Sequence, residues 1–217
     1  LGTAQVINYA PSLDMAIQYW TINDAGEMRE LIELGWSSNH IESATLMEPF
    51  MRLYNLTGKT CYLDFAKYII ETGGSKGYNI IAQAYNDVDP HQMGGLYPKA
   101  YEMMSCFEGL LEYYRVTGEE KWKTAVINFA DSVKKSDITV IGCAGCEHEL
   151  FNHAVATQTD TDYMGIMQET CVTVTWMKLC NQLLLLTGDG KYADYIDTIF
   201  GPEEGKLRAK ISKLLQN

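Results

Sequence analysis

The segment Met167–Asp194 reads MQETCVTVTWMKLCNQLLLLTGDGKYAD and carries the pattern from which the fold can be argued. Its apolar residues recur at helical spacing, and the run closes at Thr187 and Gly188, because glycine tolerates the left-handed backbone that ends a helix. A new helical period begins within three residues, which predicts an antiparallel pair of helices. At the entrance of the first helix Glu169 and Cys171 stand two residues apart, a spacing that suits half of a metal site.

The same helix ending occurs twice upstream. Thr-Gly pairs close apolar runs at 57–58 and 117–118, and four positions after each of the three glycines comes an aromatic residue: Tyr62, Trp122 or Tyr192. Each aromatic side chain is expected to pack back onto the helix before the turn. A single hairpin cannot bury its apolar face alone, so neighbouring hairpins must cover one another. We therefore predict an all-α protein of repeated antiparallel helical hairpins, in one domain that spans residues 1–217.

The periodicity predicts helices at 26–35, 39–56, 60–72, 99–116, 119–134, 168–186, 190–200 and 203–215. Pro49 falls inside the second of these, so a kink or a late start is expected there. Ile138–Ile141 is the best candidate for a strand. Two long connections, Gly73–Pro98 and Lys135–Met167, both fall between hairpins and should emerge at the same end of the assembly. Because long loops in a compact protein are usually functional, we predict a binding cleft at that end.

The composition excludes several classes of protein. The chain has 217 residues, of which 47% are hydrophobic, and this suits one domain with a sizeable core. The net charge of −11 repels phosphate backbones, so nucleic acid is not an expected partner. No apolar run approaches the roughly 18 residues that span a bilayer, and the first residues, LGTAQVINYA, lack the pattern of a signal peptide. A soluble protein is expected, and either the periplasm or the cytoplasm of a bacterium would suit it.

The six cysteines divide into two groups. Their even number suggests disulfides, but a protein of this size with this much core does not need them. Three lie within helical patterns and are predicted to be small buried hydrophobes: Cys61, Cys106 and Cys180. The others lie in or beside loops and are candidates for chemistry: Cys143, Cys146 and Cys171.

The second long connection concentrates residues that can bind metals or transfer protons, and its residues leave three interpretations open. In the first, it is a solvated acidic loop with incidental cysteines. In the second, Cys143 and Cys146 form a local metal site with His148 or His153, although the histidine spacing fits no standard zinc finger. In the third, two carboxylates act as a pair beside a thiol: Glu149, Glu169 and Cys171. Paired carboxylates suit glycoside hydrolysis, in which one acid protonates the leaving oxygen.

These patterns together resemble glycoside hydrolase family 127 and its close relatives, whose type activity is β-L-arabinofuranosidase on an (α/α)6 toroid. The resemblance lies in the Thr-Gly hairpins, in the loop with Ile138–Thr139 and Glu149–Phe151, and in the Glu-Thr-Cys helix entrance. It runs from about His40 to Phe200, and the helix MQETCVTVTWMKLCNQLLLLTGD is its most specific part. The resemblance implies part of an (α/α)6 toroid and a glycoside hydrolase that acts on arabinofuranosides or related plant-type glycans, with a carbohydrate as its partner.

The resemblance also implies roles for individual residues. Glu149 matches the family's general acid/base, and Glu169 and Cys171 match two of its zinc ligands. In the family, zinc is held by one Glu and three Cys, and one of these cysteines attacks the anomeric carbon as a thiolate. A general acid needs a raised pKa, which a partly apolar pocket supplies, and Phe151 and Tyr163 are predicted to form that wall.

The chain departs from the family pattern in two ways. The remaining two family ligands, which include the nucleophile, come from a cysteine pair well downstream of the Glu-Thr-Cys motif, whereas no cysteine follows Cys180 here. Three Thr-Gly hairpins are too few to close a toroid of six. We therefore expect an incomplete zinc site, unless Cys143 and Cys146 complete it, in either a fragment of a longer enzyme or a shortened relative. Half a toroid exposes apolar faces, so self-association into a homo-oligomer or a partner is expected.

Further candidates could bind the sugar: His40, His91, His148, His153 and Trp36. Trp122 and Trp176 stand at helix-core positions and are predicted to pack. Two other functions remain open besides the zinc hydrolase. One is a non-catalytic carbohydrate-binding or scaffold remnant of the fold. The other is a toroid enzyme that needs no zinc, such as a sugar epimerase or an unsaturated glucuronyl hydrolase.

Overall fold

A computed structural model describes residues 41–75, 78–93, 98–163, 165 and 167–200. The predicted helices 26–35 and 203–215 lie outside these residues, as do Trp36 and His40. The described part is built mostly of helices, as predicted, and these are α1 Met47–Thr57, α2 Thr60–Glu71, α3 Ile80–Tyr85, α4 Ala100–Thr117, α5 Glu120–Ser136, α6 Ala154–Thr157, α7 Thr170–Thr187 and α8 Lys191–Phe200. Short 3-10 helices cover Glu42–Leu46 and Pro90–Gln92. None of the described helices has the length and apolarity needed to cross a membrane.

The strands are short and lie in the long connections. β1, Gly74–Ser75, pairs antiparallel with β2, Tyr78–Asn79. β3, Glu147–His148, pairs parallel with β4, Met167–Gln168. The second pair is the one that matters for the site, because it joins the middle of the second connection to the entrance of α7.

The three Thr-Gly turns share one geometry. Gly58, Gly118 and Gly188 have φ of 69°, 70° and 69°, and each donates its N–H to the carbonyl four residues earlier. The threonine before each glycine adds a second link, as at Thr187, whose hydroxyl donates to the Leu183 carbonyl at 2.8 Å. The hairpin prediction is confirmed, and the left-handed conformation explains why glycine occupies this position.

The aromatic residues after the turns pack back as predicted. The Tyr62 ring stacks on Phe50 of α1, with ring centroids 6.1 Å apart. The Trp122 ring meets the edge of Tyr113 of α4 at 6.3 Å. Tyr192 is 1% exposed and belongs to the core. Tyr62 and Trp122 therefore fasten the second helix of their hairpins to the first, and Tyr192 is buried in the core at the equivalent position.

The hairpins stack through their first helices. α4 packs between α1 and α7, while α2, α5 and α8 each lie against the first helix of their own hairpin. Fully buried side chains fill the space between the two layers, among them Met47, Phe107 and Trp176. Phe107 of α4 stacks on Phe129 of α5 with 3.9 Å between ring centroids. The packing predicted for Trp176 is confirmed, and this core sets the positions of the helix ends that carry the site.

One glycine lets two helices of the first layer come close. A Cβ built at Gly109 of α4 would lie 2.6 Å from the Glu48 nitrogen and 2.7 Å from the Met47 Cβ. Real Cβ contacts are essentially never this short, so α1 and α4 approach each other here only because position 109 has no side chain.

The cysteine predictions are mostly confirmed. Among the described residues every cysteine is a free thiol. Cys106 and Cys180 are fully buried, and burial raises the pKa of the Cys106 thiol to about 12. Cys61 is only partly buried at the edge of the core. Buried thiols of this kind are unreactive fillers of apolar space.

The boundaries near Pro49 follow the expectation of a late start. The chain forms a 3-10 helix over Glu42–Leu46, and the α-helix begins only at Met47. Pro49 is then the third residue of α1, inside the first turn, where a missing N–H breaks no helical hydrogen bond.

Helix α3 was not predicted, although its signal is present in the sequence. The Asn79 side chain caps the helix, because its Oδ1 accepts the Ala82 N–H at 2.8 Å. Ile80 and Ile81 are buried beneath it, and α3 packs on α5. An Asn before an apolar run is an ordinary helix start, but the glycines around it favoured a loop.

The strand predicted at Ile138–Ile141 is wrong. Ile138 makes a single isolated bridge to Ala144, and the chain turns back because Gly142 donates its N–H to the Thr139 carbonyl at 2.9 Å. The Thr139 hydroxyl also accepts the Cys143 N–H at 3.0 Å. This side chain closes a tight loop in competition with an extended strand.

Candidate functional site

The two long connections meet at one end of the hairpin stack, as predicted. Ala100, the first residue of α4, donates its N–H to the Glu149 carbonyl at 2.7 Å. Phe151 donates its N–H to the Pro98 carbonyl at 2.9 Å. These two bonds fasten the segment around Glu149 to the start of α4 and position its side chain at that helix end.

Glu149 has a cation as its partner. Lys99 Nζ lies 2.7 Å from Glu149 Oε1 and 3.7 Å from Glu102 Oε1. The Glu149 side chain is 37% exposed, whereas Lys99 is 17% exposed. Leu150 donates its N–H to the Glu147 carbonyl, and His148 has a φ of 51°, so the backbone makes a tight turn here. Glu149 is therefore oriented by a turn and an ammonium group while it remains open to solvent.

The wall predicted around Glu149 has a different arrangement. Phe151 is 1% exposed and meets the edge of Phe129 at 6.0 Å, so it belongs to the core. Tyr163 bonds to Glu147, and this hydrogen bond, with a smaller effect of burial, raises the pKa of Tyr163 to about 12. Phe151 and Tyr163 therefore do not form the predicted apolar wall around Glu149. The neighbour of Glu149 is instead the ammonium group of Lys99.

The parallel strands bring the two predicted functional segments side by side. β3 ends at His148 and β4 ends at Gln168, and these two residues pair. Glu149 and Glu169 are the next residues of the two segments. Neighbouring strands are about 4.8 Å apart, so the backbones that carry the two carboxylates leave the ladder from adjacent positions.

Glu169 and Cys171 lie in contact at the start of α7. The Cys171 thiol donates to Glu169 Oε2 at 3.2 Å, and Cys171 is exposed. Partial burial, the hydrogen bond to Glu169 and its charge raise the pKa of the Cys171 thiol, against the lowering effect of the first N–H groups of the helix. A carboxylate oxygen and a sulfur are thus held together at a helix N-terminus.

The local metal site predicted from Cys143 and Cys146 does not form. Across the described ranges, no three His, Cys, Asp or Glu side chains gather as a metal-binding group. The Cys146 thiol donates instead to Asn152 Oδ1 at 3.4 Å, and burial raises its pKa. Cys146 is part of the loop's packing.

Two of the predicted sugar-binding histidines come together. The rings of His91 and His153 stack with centroids 4.6 Å apart and planes 6° from parallel. His91 Nδ1 lies 3.4 Å from Oδ2 of the fully buried Asp137. His148 is exposed on β3. The sequence gives no sign of the role of Asp137, because an acidic residue after a helix end looks like an ordinary solvated loop residue.

The chain has counterparts among known proteins. The family model of the beta-L-arabinofuranosidase, GH127 catalytic domain, matches residues 13–200. A solved GH127 beta-arabinofuranosidase is similar with a TM-score of 0.57 and 22% identity, over 71% of this chain and 24% of that chain. A GH127 beta-L-arabinofuranosidase from Geobacillus stearothermophilus T6 is similar with a TM-score of 0.51 and 19% identity, over 79% of this chain and 31% of that chain. No curated protein gives a significant match.

These likenesses establish the architecture. The stacked hairpins are part of an α/α toroid, as predicted. The chain spans 24% and 31% of the length of these two solved structures.

Proposed function

The chain belongs to the family of GH127 beta-L-arabinofuranosidase catalytic domains, and from this premise we propose that it is a glycoside hydrolase acting on arabinofuranosides or related plant-type glycans. One observation carries the proposal beyond family membership. The β3–β4 pair joins the residues that immediately precede Glu149 to those that immediately precede Glu169, although the two segments are separated in the sequence. A carboxylate beside a carboxylate–thiol pair is the set of groups that glycoside transfer to sulfur would use.

Glu149 is the proposed general acid/base. Its carboxyl group would protonate the leaving oxygen of the glycoside and would then accept a proton from the attacking water. Lys99 holds the carboxylate in one orientation through the contact at 2.7 Å, while the exposed fraction of Glu149 leaves room for a sugar. His91, His148 and His153 are the proposed contacts to sugar hydroxyl groups.

Glu169 and Cys171 are proposed as two ligands of a zinc ion. Oxygen and sulfur ligands on one tetrahedral zinc, with bonds of about 2.1 and 2.3 Å, lie about 3.6 Å apart. The observed separation of 3.2 Å between Glu169 Oε2 and Cys171 Sγ is close to that value, and the exposed thiol is accessible to an ion. When bound, zinc would lower the pKa of the thiols that hold it and so favour the thiolate.

Metal content tests the zinc proposal. Glu169 and Cys171 supply only two of the four ligands of a tetrahedral site, so the chain equilibrated with Zn²⁺ is expected to bind about one ion weakly. Cys171→Ser should lose it, while Cys61→Ser, which changes a partly buried thiol of α2 far along the sequence, should keep it. A chain without zinc, or equal loss in both variants, would contradict the assignment of Cys171.

Turnover tests the hydrolase proposal separately. A protein that joins this chain to the family's downstream cysteine pair, which includes the nucleophile, is expected to release the aryl group from an aryl β-L-arabinofuranoside and to leave the matching α-anomer intact. Binding of the sugar by calorimetry without any release would instead indicate a non-catalytic carbohydrate-binding protein. If the sugar is neither bound nor hydrolysed, the proposed substrate class is wrong.

A further inference from the structure

Asp137 is a buried carboxylate with an unusually complete set of partners. It follows the last residue of α5, and its side chain is 0% exposed. Its Oδ1 accepts the backbone N–H groups of Asn152 at 3.0 Å and Ala154 at 3.2 Å. Its Oδ2 accepts the Ser136 hydroxyl at 2.6 Å and faces His91 Nδ1 at 3.4 Å. Burying a carboxylate is costly unless donors surround it, so this arrangement is built around the charge of Asp137.

The two backbone bonds fix the conformation of the residue between them. His153 stands between Asn152 and Ala154 and has a φ of 57°, a left-handed conformation that costs a side-chain-bearing residue about 1–2 kcal/mol. Its carbonyl accepts the N–H groups of Ala156 and Thr157 and so starts α6. One oxygen of Asp137 thus binds the backbone N–H groups of the residues on either side of the strained residue.

The other oxygen acts on the ring of His91. A carboxylate can only accept, so the nitrogen that faces it must carry the proton. This favours the tautomer of His91 with the proton on Nδ1. The second nitrogen, Nε2, is then an acceptor on the side of the ring directed away from Asp137. The His91 side chain is 16% exposed, and its flat face is covered by the ring of the exposed His153.

We infer that Asp137 is a positioning residue that holds His91 and His153 as one recognition surface for sugar hydroxyl groups. The surface joins the two long connections, and His153 is four residues from Glu149 in the chain. The stacked rings supply an acceptor and a polar face, which suits a neutral, hydroxyl-rich ligand such as a pentofuranoside. This inference rests on the proposed glycosidase function, but its structural part can be measured without turnover.

The tautomer of His91 is the first test, on the full chain with ¹⁵N-labelled histidine. When the imidazole ring is neutral, the ¹⁵N shifts of its two nitrogens show which one carries the proton. The proton is expected on Nδ1 of His91 in the wild type. Asp137→Asn keeps an oxygen for the backbone N–H groups but turns an NH₂ group toward His91, so the proton should move to Nε2.

A matched control distinguishes the direct contact of Asp137 with His91 from the general effect of a nearby negative charge. Asp89 lies two residues from His91 and bonds to Ser132 and Lys135, so Asp89→Asn removes a nearby charge and should leave the tautomer of His91 unchanged. A wild-type His91 with its proton on Nε2 would overturn the inference outright. This outcome is measured on the wild type, so it holds whether or not Asp137→Asn folds.

Sugar binding is the second test, with methyl β-L-arabinofuranoside as the probe. The sugar is expected to shift the Nε2 resonance of His91, and its apparent Kd should rise about tenfold in Asp137→Asn but not in Asp89→Asn. If His91 carries its proton on Nδ1 and the sugar does not shift the Nε2 resonance, the proposed role of His91 in sugar recognition is wrong. A shift in a chain that hydrolyses nothing would support the inference while rejecting the proposed hydrolase.

Discussion

Three ionisable side chains meet where the first helices of the three hairpins pack together, and they set a pH dependence of stability that can be measured. Lys178 of α7 bonds Glu48 Oε2 of α1 at 2.6 Å and also contacts Glu108 Oε2 of α4. The Glu108 side chain is 0% exposed and Glu48 is 11% exposed. One ammonium group therefore serves two buried carboxylates, and both cannot be ionised at low cost.

The two acids respond in opposite directions. Burial, and after it the charge of Glu48, raises the pKa of Glu108 from 4.5 to about 8. Burial alone would raise the pKa of Glu48 as well, but the hydrogen bond and charge of Lys178 hold it below its usual value. Between pH 4.5 and about 8 the folded chain keeps a proton on Glu108 that the unfolded chain has released. The free energy of unfolding must therefore fall as the pH rises through this window.

The size of the effect has an upper bound. One proton of difference changes the free energy of unfolding by at most about 1.4 kcal/mol for each pH unit. From pH 6 to pH 8 the change is about 2 kcal/mol, because Glu108 begins to lose its proton as the pH approaches its pKa of about 8. This value is an upper limit, since Lys178 is 46% exposed and water screens its charge. Glutamine has the shape of the protonated acid and cannot ionise.

Glu108→Gln should therefore remove this part of the pH dependence. In urea unfolding, the stability of the variant relative to wild type should increase by up to about 2 kcal/mol between pH 6 and pH 8, and part of this difference should already be present at pH 6 because the unfolded wild type has released the Glu108 proton above pH 4.5. Glu71→Gln, in an exposed pair with Lys67 at 3.7 Å, is the control and should change stability by less than about 0.5 kcal/mol at both pH values. A difference between Glu108→Gln and wild type that is the same at pH 6 and pH 8 would refute the reasoning.

Three further substitutions test the packing and the site. Gly109→Ala should destabilise the fold by about 1–3 kcal/mol in urea unfolding, because α1 must move away from the new Cβ; unchanged stability would show that the helices separate freely. Gly118→Ala has open space for its Cβ but keeps a φ of 70°, so a loss of about 1–2 kcal/mol is expected from backbone strain alone, and a gain would contradict the assigned turn. Lys99→Met should lower turnover about tenfold, because Glu149 loses the ammonium group that orients it. The same change should lower the free energy of unfolding by less than about 1 kcal/mol, because Glu149 is 37% exposed. Normal turnover in this variant would show that Lys99 does not orient Glu149.

The fold was predictable where short-range chemistry decides it. A glycine at φ near 70° ends a helix whatever its distant neighbours are, so Gly58 and Gly188 could be assigned from the sequence. The contact of Glu169 with Cys171 was also accessible, since two residues at a helix entrance stay close in any tertiary setting. Helix α3 had a local signal as well, in the cap of Asn79, and it was missed because of the glycines on either side.

The other contacts depend on residues that are far apart in the chain. Lys99 and Glu149 meet only because the second connection returns to the start of α4, and no pattern in either segment indicates the other. Asp137 and His91 are a similar case, with a separation of 46 positions in the chain. The turn at Thr139 shows a further limit, because a side chain closed a loop where the β-branched run favoured a strand.

The kinetic effect of one carboxylate tests the central claim most directly. With an aryl β-L-arabinofuranoside as substrate, Glu149→Gln should lower kcat/KM by about 100-fold or more, because glutamine cannot transfer the proton. Glu147→Gln is the matched control, since it removes a carboxylate two residues away that bonds to Tyr163 and Asn152. A folded Glu149→Gln variant with the kcat/KM of the wild type would contradict the assignment of Glu149 as the general acid/base.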